Sequence, residues 1–174
     1  MKRHLILVGL PGSGKTTVGR RAVELLSSDF ADFTDIDEAV ESETGQSISR
    51  IFAESGEAEF RRLERGAMDH ALEQPPHLIA AGAGWIAQPG NLEAARASGA
   101  GIVYLKVSAT VAAARLGDDA TRPLLAGGDR ATRLQALLAE RADWYGKAEH
   151  TVDAEAGVEE VAAKVAEVAS GDAG

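Results

Sequence analysis

The sequence predicts an α/β fold built on a parallel sheet with helices on both faces. Three observations support this fold class: the apolar run Leu5–Val8 closed by Gly9, the alternation of candidate strands and helices, and a glycine-rich loop between the first strand and the first helix. A run that is apolar at every position is typical of a strand buried on both faces. With 174 residues and 45% hydrophobic positions, the chain can form one substantial core, and we expect one domain spanning residues 1–174.

The first half of the chain supplies two strands and four helices. After Leu5–Val8, a helix is expected from Lys15 to about Leu26, with an inward stripe made of Val18, Ala22, Leu25 and Leu26. A strand over Asp32–Ile36 and short helices over Asp37–Glu43 and Ile48–Glu54 follow, and Gly45 and Gly56 are placed to end these helices in a left-handed conformation. Apolar spacing then predicts a longer helix with the stripe Phe60, Leu63 and Ala67.

The second half continues the alternation. Buried strands are expected over Leu78–Ala81 and Gly101–Val107, each followed by a helical stretch, as βαβ units require. Glycines, aspartates and a proline predict an exposed, mobile loop over Gly117–Asp129. The other expected elements are helices over Val111–Leu116 and Arg130–Tyr145, a strand over His150–Asp153, and an amphipathic helix with the stripe Val158, Val161, Ala162, Val165 and Val168.

Composition excludes several classes of protein. The formal net charge of −9 argues against binding to nucleic acid, which requires clustered positive charge. The absence of cysteine excludes a disulfide framework, and His4, His70, His77 and His150 lack metal-ligand spacing. Because the Leu5–Val8 run is too short to span a membrane or to form a signal segment, we expect a cytoplasmic protein that does not bind membranes. We also expect a monomer.

Residues 9–16, GLPGSGKT, form a phosphate-binding loop between a strand and a helix. Glycines let the backbone approach the phosphates with its N–H groups inward, and the following helix adds its positive end. Lys15 is expected to reach the β- and γ-phosphates of ATP, and the Thr16 hydroxyl to be a ligand of Mg²⁺. The predicted nucleotide-binding residues of this segment are Gly12, Ser13, Gly14, Lys15, Thr16 and Thr17. The loop alone fits kinases, GTPases, motor ATPases and nucleotide-dependent switches equally.

Two aspartates end the second strand. Asp35 and Asp37 are two positions apart, so strand alternation is expected to place both carboxylates on one side. One carboxylate can then hold the metal through its water shell while the other orients, or deprotonates, an attacking hydroxyl. An N-cap role at the start of the next helix fits the same residues equally well.

Arginines and glycines further along the chain are candidate ligand contacts. Arg61 and Glu64 are three residues apart on a helix flank, and this spacing by itself favours a surface ion pair over a carboxylate-binding site. Gly82-Ala83-Gly84 follows a buried strand, where backbone amides can approach a ligand. Arg122, in the predicted loop, can fold over the phosphates or simply be solvated.

Taken in order, several segments resemble the acceptor-site signature of the shikimate kinase family: Asp35-Ile36-Asp37, Gly45-Gln46-Ser47-Ile48, Ile51-Phe52, Gly56-Glu57 and Phe60-Arg61-Arg62-Leu63-Glu64. With the phosphate loop, the resemblance extends from Leu5 to about Val168. It implies a five-stranded parallel sheet of the P-loop kinase type, a substrate-binding segment over about residues 35–64 and a mobile lid over about 116–129. It also implies transfer of the γ-phosphate of ATP, with Mg²⁺, to the 3-hydroxyl of shikimate in aromatic amino-acid biosynthesis.

The resemblance also implies roles for single residues. Asp37 is the candidate base and Asp35 helps to hold Mg²⁺ through water. Arg61 and Arg141 bind the shikimate carboxylate, and Phe52 and Phe60 form an apolar wall around the ring. Lys15 and Arg122 act on the transferring phosphoryl group, Arg122 from the lid, while Arg115 packs beside adenine. Gly82, Ala83 and Gly84 contact the substrate.

Two residues depart from the family pattern, which usually has three glycines followed by a small residue. Here Ala83 is the middle residue and Trp85 follows. An indole at that position either narrows the acceptor pocket or packs in the core. These departures keep open a kinase of another small carboxylated polyol. A non-catalytic nucleotide-binding protein is a separate alternative, which the phosphate loop alone also allows.

Overall fold

A computed structural model describes residues 3–26, 32–117 and 129–171. Its five strands are all parallel and lie in the order β2-β3-β1-β4-β5, with β1 at the centre. The predicted fold class is confirmed. The strands are β1 (Leu5–Val8), β2 (Phe33–Asp35), β3 (Leu78–Ala80), β4 (Gly101–Lys106) and β5 (His150–Asp153).

Seven α-helices connect and cover the strands within the described residues. Four of them lie between β1 and β4, and three follow β4. A short 3-10 helix, Trp85–Ala87, follows β3. The helices are α1 (Lys15–Leu25), α2 (Ile36–Thr44), α3 (Ile48–Glu73), α4 (Asn91–Ala97), α5 (Ala109–Leu116), α6 (Arg130–Tyr145) and α7 (Val158–Ser170).

Strand alternation divides the core between the two faces of the sheet. Ile6 and Val8 of β1 belong to a cluster with residues of α2, α3 and α4, whereas Leu5 and Leu7 belong to a second cluster with residues of α1 and α7. All four side chains are almost fully buried. The central strand is therefore apolar at every position because both of its faces are covered by helices.

Capping residues explain where the elements around β2 begin and end. The predicted strand Asp32–Ile36 is one residue too long at its end, because the Asp35 carboxylate accepts from the backbone N–H groups of Asp37 and Glu38 and so starts α2 at Ile36. Gly45, at φ 66°, ends α2 as predicted. Gly56, at φ 81° and ψ 172°, is non-helical, so α3 consists of two helices that meet at a kink there, as predicted.

Other expectations need correction. Leu25 and Val158, both assigned to inward stripes, are 43% and 41% exposed, because each is a terminal residue of its helix and lacks neighbours on one side. Helix α5 begins at Ala109 and not at Val111, since the Ser108 hydroxyl caps it by accepting from the backbone N–H of Val111. The ends of α4 could not be predicted from the sequence, because its seven residues are too few to show a clear helical period.

None of the helices in the described ranges is both long and apolar enough to cross a membrane. Residues 118–128, most of the predicted lid, lie outside the described residues, and so does Arg122.

Candidate active site

Two cavities open along the carboxyl edge of the sheet. The larger, of about 570 Å³, is bounded mainly by α2, α3 and the turn after β3. The smaller, of about 460 Å³, surrounds the phosphate loop and reaches the start of α7. Four residues line both cavities, namely Thr16, Asp35, Asp37 and Ala83. A group bound in one cavity can therefore meet a group bound in the other at this boundary.

The phosphate loop has the backbone shape that its glycines predict. Gly12 and Gly14 have φ of 80° and 90°, which is the left-handed region. A Cβ on Gly12 would also lie 2.5 Å from the carbonyl oxygen of Ala112, so the loop packs directly on α5. Helix α1 starts at Lys15 and directs its positive end at the smaller cavity, which is lined by Gly12, Ser13, Gly14, Lys15, Thr16 and Thr17.

The ammonium group of Lys15 lies within the loop itself. Its Nζ donates to the carbonyl oxygens of Gly9 and Leu10 at 3.0 and 3.1 Å. This arrangement keeps a positive charge next to the inward-pointing N–H groups of the loop, where the phosphates of a nucleotide would bind. The predicted nucleotide-binding residues of this segment are thus brought together around one cavity.

Asp35 combines the two roles that its sequence position left open. Its Oδ1 caps α2, and its Oδ2 accepts a hydrogen bond from the Thr16 hydroxyl at 2.5 Å. Hydroxyl and carboxylate oxygens are the hard ligands that Mg²⁺ prefers, and Mg²⁺ usually keeps several waters. Thr16 and Asp35 therefore fit a magnesium ion bound at the boundary of the two cavities.

Asp37 reaches the boundary by a different route from the predicted one. Strand alternation does not align it with Asp35, because β2 ends at Asp35 and Asp37 lies in the first turn of α2. The chain bends into the helix between them, and both residues still line the two cavities. The predicted proximity is confirmed, but the turn into α2 produces it.

Arg61 and Glu64 are not a surface pair, contrary to what their spacing favours. The side chain of Glu64 is 1% exposed and that of Arg61 is 14% exposed. Arg61 Nη1 donates a hydrogen bond to Glu64 Oε2 at 2.8 Å. Both residues line the larger cavity. The burial of Glu64 could have been predicted from its position relative to the apolar residues of α3. Glu64 lies four residues after Phe60 and three before Ala67, within the inward stripe of the helix.

Burial changes the charge balance of this pair. Desolvation raises the pKa of Glu64 to about 7, with Asp37 adding to the rise, while Arg61 and Arg141 oppose it. Burial alone would lower the pKa of Arg61, but Glu64 and Glu57 outweigh that effect and raise it. A carboxyl that is half protonated near neutral pH leaves Arg61 free to attract a second carboxylate.

The turn after β3 packs against these charged groups. A Cβ on Gly82 would overlap Glu64 Oε1 and approach Asp37 Oδ1 to 3.0 Å, and a Cβ on Gly84 would lie 2.5 Å from an Arg61 nitrogen. A larger residue at either position would therefore have to displace the end of one of these charged side chains. Ala83 lies between them and lines both cavities, and no non-glycine residue in the described ranges has a positive φ, so alanine fits there without strain.

Arg141 lies behind this turn. It is 6% exposed and donates from Nη1 to the carbonyl oxygen of Ala83 at 2.8 Å. Arg141 contacts the wall of the larger cavity without being among its lining residues. The structure thus brings Arg141 to the acceptor side, one residue layer behind the surface of the cavity.

Aromatic residues fall into two groups. Phe52 and Phe60 line the larger cavity with ring centroids 4.9 Å apart, and the Arg61 guanidinium lies 5.2 Å from the Phe60 ring centroid. Trp85 is 2% exposed and belongs to the core cluster that includes Ile86 and Leu92. The indole therefore packs in the core and does not narrow the acceptor pocket.

Arg115 lies at the far end of the smaller cavity. Its guanidinium donates to the carbonyl oxygens of Ala154, Glu155 and Ala156 at 2.7 to 3.4 Å, which ties the end of α5 to the loop after β5. Arg115, Ala154 and Ala156 line the cavity, together with Val158 and Val161 of α7. This end of the cavity is mostly apolar, as a purine ring requires.

Comparison with known proteins was made by sequence and by structure. The sequence model of the family described as "SKI: Shikimate kinase" matches residues 11–170. A shikimate kinase of Mycobacterium avium (strain 104) is 46% identical over 148 residues, which cover 85% of this chain and 81% of that protein. A shikimate kinase of Mycobacterium tuberculosis (strain CDC 1551 / Oshkosh) is 46% identical over 147 residues, or 83% of this chain and 80% of that protein.

Solved structures agree with this match. A shikimate kinase from Acinetobacter baumannii in complex with shikimate superposes with a TM-score of 0.91 at 31% identity, covering 99% of this chain and 96% of that one. A gluconokinase from Sinorhizobium meliloti 1021 shares the fold alone, with a TM-score of 0.63 at 19% identity and coverage of 99% and 98%.

Proposed function

The chain belongs to the shikimate kinase family, and from that membership we propose that it transfers the γ-phosphate of ATP to the 3-hydroxyl of shikimate, giving shikimate 3-phosphate and ADP. The observation that carries the proposal is the meeting of the two cavities at Thr16, Asp35, Asp37 and Ala83. One cavity has a phosphate loop and the other has a buried arginine. Phosphoryl transfer needs this arrangement, with donor and acceptor in line across a shared boundary.

On the nucleotide side, the loop residues 12–17 would hold the phosphates and Arg115 would border the adenine. Lys15 is positioned to exchange its loop carbonyls for the β- and γ-phosphate oxygens and to offset their charge. Mg²⁺, when bound, neutralises charge on the same oxygens, and Thr16 and Asp35 are the residues that would hold it. Arg122, outside the described residues, is proposed to act on the transferring group.

On the acceptor side, Arg61 and Arg141 would bind the shikimate carboxylate and Phe52 and Phe60 would pack against its ring. Arg61 can bind a carboxylate with two parallel hydrogen bonds, and the partly protonated Glu64 fixes the guanidinium from behind. The backbone of Gly82, Ala83 and Gly84 closes the cavity beside these arginines.

Asp37 would accept the proton of the 3-hydroxyl. As the hydroxyl oxygen forms its bond to the γ-phosphorus, the bond from that phosphorus to the β–γ bridging oxygen breaks, and ADP leaves with the bonding electrons. The hydroxyl proton passes to Asp37, which lines both cavities and so can reach the attacking oxygen. The core position of Trp85 removes one reason to expect a different acceptor.

A coupled assay of ADP release, with purified protein, ATP and Mg²⁺, tests the proposal. Shikimate, quinate and no acceptor are compared side by side. We expect turnover that depends on shikimate and little with quinate or without acceptor. Equal ADP release in all three reactions would contradict the proposal, and ATP binding without any turnover would favour a binding role.

A further inference from the structure

A buried tyrosine that the mechanism above does not use lies one helical turn from Arg141. Tyr145 is 2% exposed, and its Oη is fully buried with no hydrogen-bond partner among the described residues. The same is true of Arg141 Nε. A phenol that is buried without a partner is less stable than the phenylalanine that would fill the same space. The hydroxyl therefore needs a physical reason to be there.

The ring of Tyr145 is held in place by its surroundings. It stacks on Tyr104 of β4 with ring centroids 4.5 Å apart and planes within 4° of each other. Tyr104 is itself 7% exposed, and both rings belong to the core cluster under α2, α3 and α4. Because the ring is fixed between core residues, the hydroxyl cannot rotate out to water.

Arg141 is the cation next to this hydroxyl. The two residues are four apart on α6, which places them on one face of the helix. Burial raises the pKa of Tyr145, and the charge and hydrogen-bonding capacity of Arg141 lower it in part, so the guanidinium lies near the phenol. The geometry still falls short of a formed hydrogen bond, since Oη and Nε both lack a partner in the described part of the chain.

The two acceptor-side arginines are supported by different groups. Arg61 is paired with the carboxyl groups of Glu64 and Glu57. Arg141 donates its hydrogen bond to the neutral carbonyl of Ala83 and is next to the neutral phenol of Tyr145, while the carboxyl group of Glu64 acts on it through its charge alone. A neutral partner orients a guanidinium without offsetting its charge, so the attraction of Arg141 for an acceptor carboxylate is kept.

We propose that Tyr145 is a positioning residue for Arg141, whose phenolic oxygen accepts a hydrogen bond from Arg141 Nε–H when the guanidinium turns toward the carboxylate of the acceptor. The bond fixes the plane of the guanidinium and leaves Nη2, together with the Nη1 hydrogen that Ala83 does not use, for the carboxylate. This inference rests on the proposed function, because it assumes that Arg141 binds the acceptor carboxylate.

The test compares Tyr145→Phe with Tyr104→Phe. Each substitution removes one hydroxyl from the same stacked pair, and Arg141 affects the pKa of Tyr145 but not that of Tyr104. A hydrogen bond to a charged group predicts a rise of about tenfold in the KM for shikimate with Tyr145→Phe. The KM for ATP and the kcat of Tyr145→Phe should stay within about twofold of the values for the unsubstituted protein. Tyr104→Phe should leave both KM values and kcat within about twofold of those values.

A double substitution separates positioning from packing. In an Arg141→Ala background, Tyr145→Phe should raise the KM for shikimate no further, because no guanidinium is left to orient. The Tm of Tyr145→Phe should equal or exceed that of the unsubstituted protein, since an unpartnered buried hydroxyl has been removed. The dissociation constant of shikimate, measured by calorimetry with ADP present, gives the same comparisons without turnover.

Several results would overturn the inference. These are an unchanged shikimate affinity in Tyr145→Phe, an equal loss in Tyr104→Phe, a full additional loss in the Arg141→Ala background, or a large fall in Tm. Failure of the proposed function looks different, because the unsubstituted protein would then release no ADP in response to shikimate. An unchanged shikimate affinity in Arg141→Ala alone would withdraw the carboxylate role of Arg141 and the inference with it.

Discussion

The two sides of the candidate active site are built in different ways. The nucleotide side is made mainly of backbone, with a short loop between β1 and α1 that presents N–H groups and a helix end. The acceptor side is made mainly of charged side chains that converge from α2, α3 and α6. Substitutions on the acceptor side should therefore change the affinity for shikimate or the chemical step and leave nucleotide binding nearly intact.

The largest effect is expected from Asp37→Asn. Asparagine keeps the shape of the side chain and removes its capacity to accept a proton, so kcat should fall by roughly 10²- to 10⁴-fold. The affinity for ATP should stay within about threefold, because the loop at residues 12–17 supplies the phosphate contacts. Steady-state kinetics measure the fall in kcat, and calorimetry measures the affinity for ATP. Normal turnover would remove Asp37 from the mechanism.

The next effect is expected from Arg61→Ala, with Arg62→Ala as the matched control on the same helix. Arg62 forms an exposed pair with Glu59, and its side chain is 68% exposed. Removing Arg61 should raise the KM for shikimate by roughly 30-fold or more, because a bond between charged groups is lost, and leave the KM for ATP almost unchanged. The control should change neither constant. Equal effects of the two substitutions would mean that Arg61 does not bind the acceptor carboxylate.

Gly82→Ala should act on the acceptor side through shape alone. The added Cβ would overlap Glu64 and approach Asp37, so these side chains or the turn must shift. Overpacking of this kind destabilises a protein by about 1–3 kcal/mol, and the displaced Asp37 should also lower kcat. Gly66→Ala is the matched control, because a Cβ there meets nothing within 4 Å among the described residues. Full activity and stability in Gly82→Ala would show that the turn has more room than the structure allows.

A pH dependence of stability is also expected, and it comes from Glu64. Burial raises the pKa of Glu64 from its ordinary value of 4.5 to about 7, so the folded protein holds the proton more tightly than the unfolded chain. The resulting stabilisation is fully present below pH 4.5 and is lost as the pH rises to about 7, by at most about 3 kcal/mol.

The variant Glu64→Gln cannot titrate and should lack this decline. Urea unfolding at pH values from 5 to 8 should therefore give a steeper fall in the free energy of unfolding for the unsubstituted protein than for the variant. Groups common to both proteins cancel in the comparison. Parallel curves would mean that Glu64 is already ionised below this range, held so by Arg61.

The difference between the nucleotide side and the acceptor side also explains which features could be predicted from the sequence. The loop at residues 9–16 is one continuous segment, and its neighbours Leu5–Val8 and Lys15–Leu25 show strand and helix patterns of their own. The five strands and the left-handed Gly45 follow from equally local signals. Local patterns are sufficient where one segment forms the feature.

The acceptor side depends on contacts between distant segments, which spacing alone does not determine. Arg61 and Glu64 have the spacing of a solvated pair, and only the packing of α3 against the turn after β3 buries them. Trp85 had two possible placements, and the core cluster with Ile86 and Leu92 decides between them. The resemblance to the shikimate kinase family identified Arg141 as a binding residue. The hydrogen bond from Arg141 to Ala83 and the position of Arg141 next to Tyr145 could be seen only in the structure.

The most direct test of the central claim is the identity of the product. After incubation of the protein with ATP, Mg²⁺ and shikimate, phosphorus NMR of the mixture would show which oxygen received the phosphoryl group. If the two cavities meet at Asp37 as described, a single phosphate ester should form, with its phosphorus coupled to the proton on carbon 3 of shikimate. Inorganic phosphate alone, or an ester at another hydroxyl, would contradict the account.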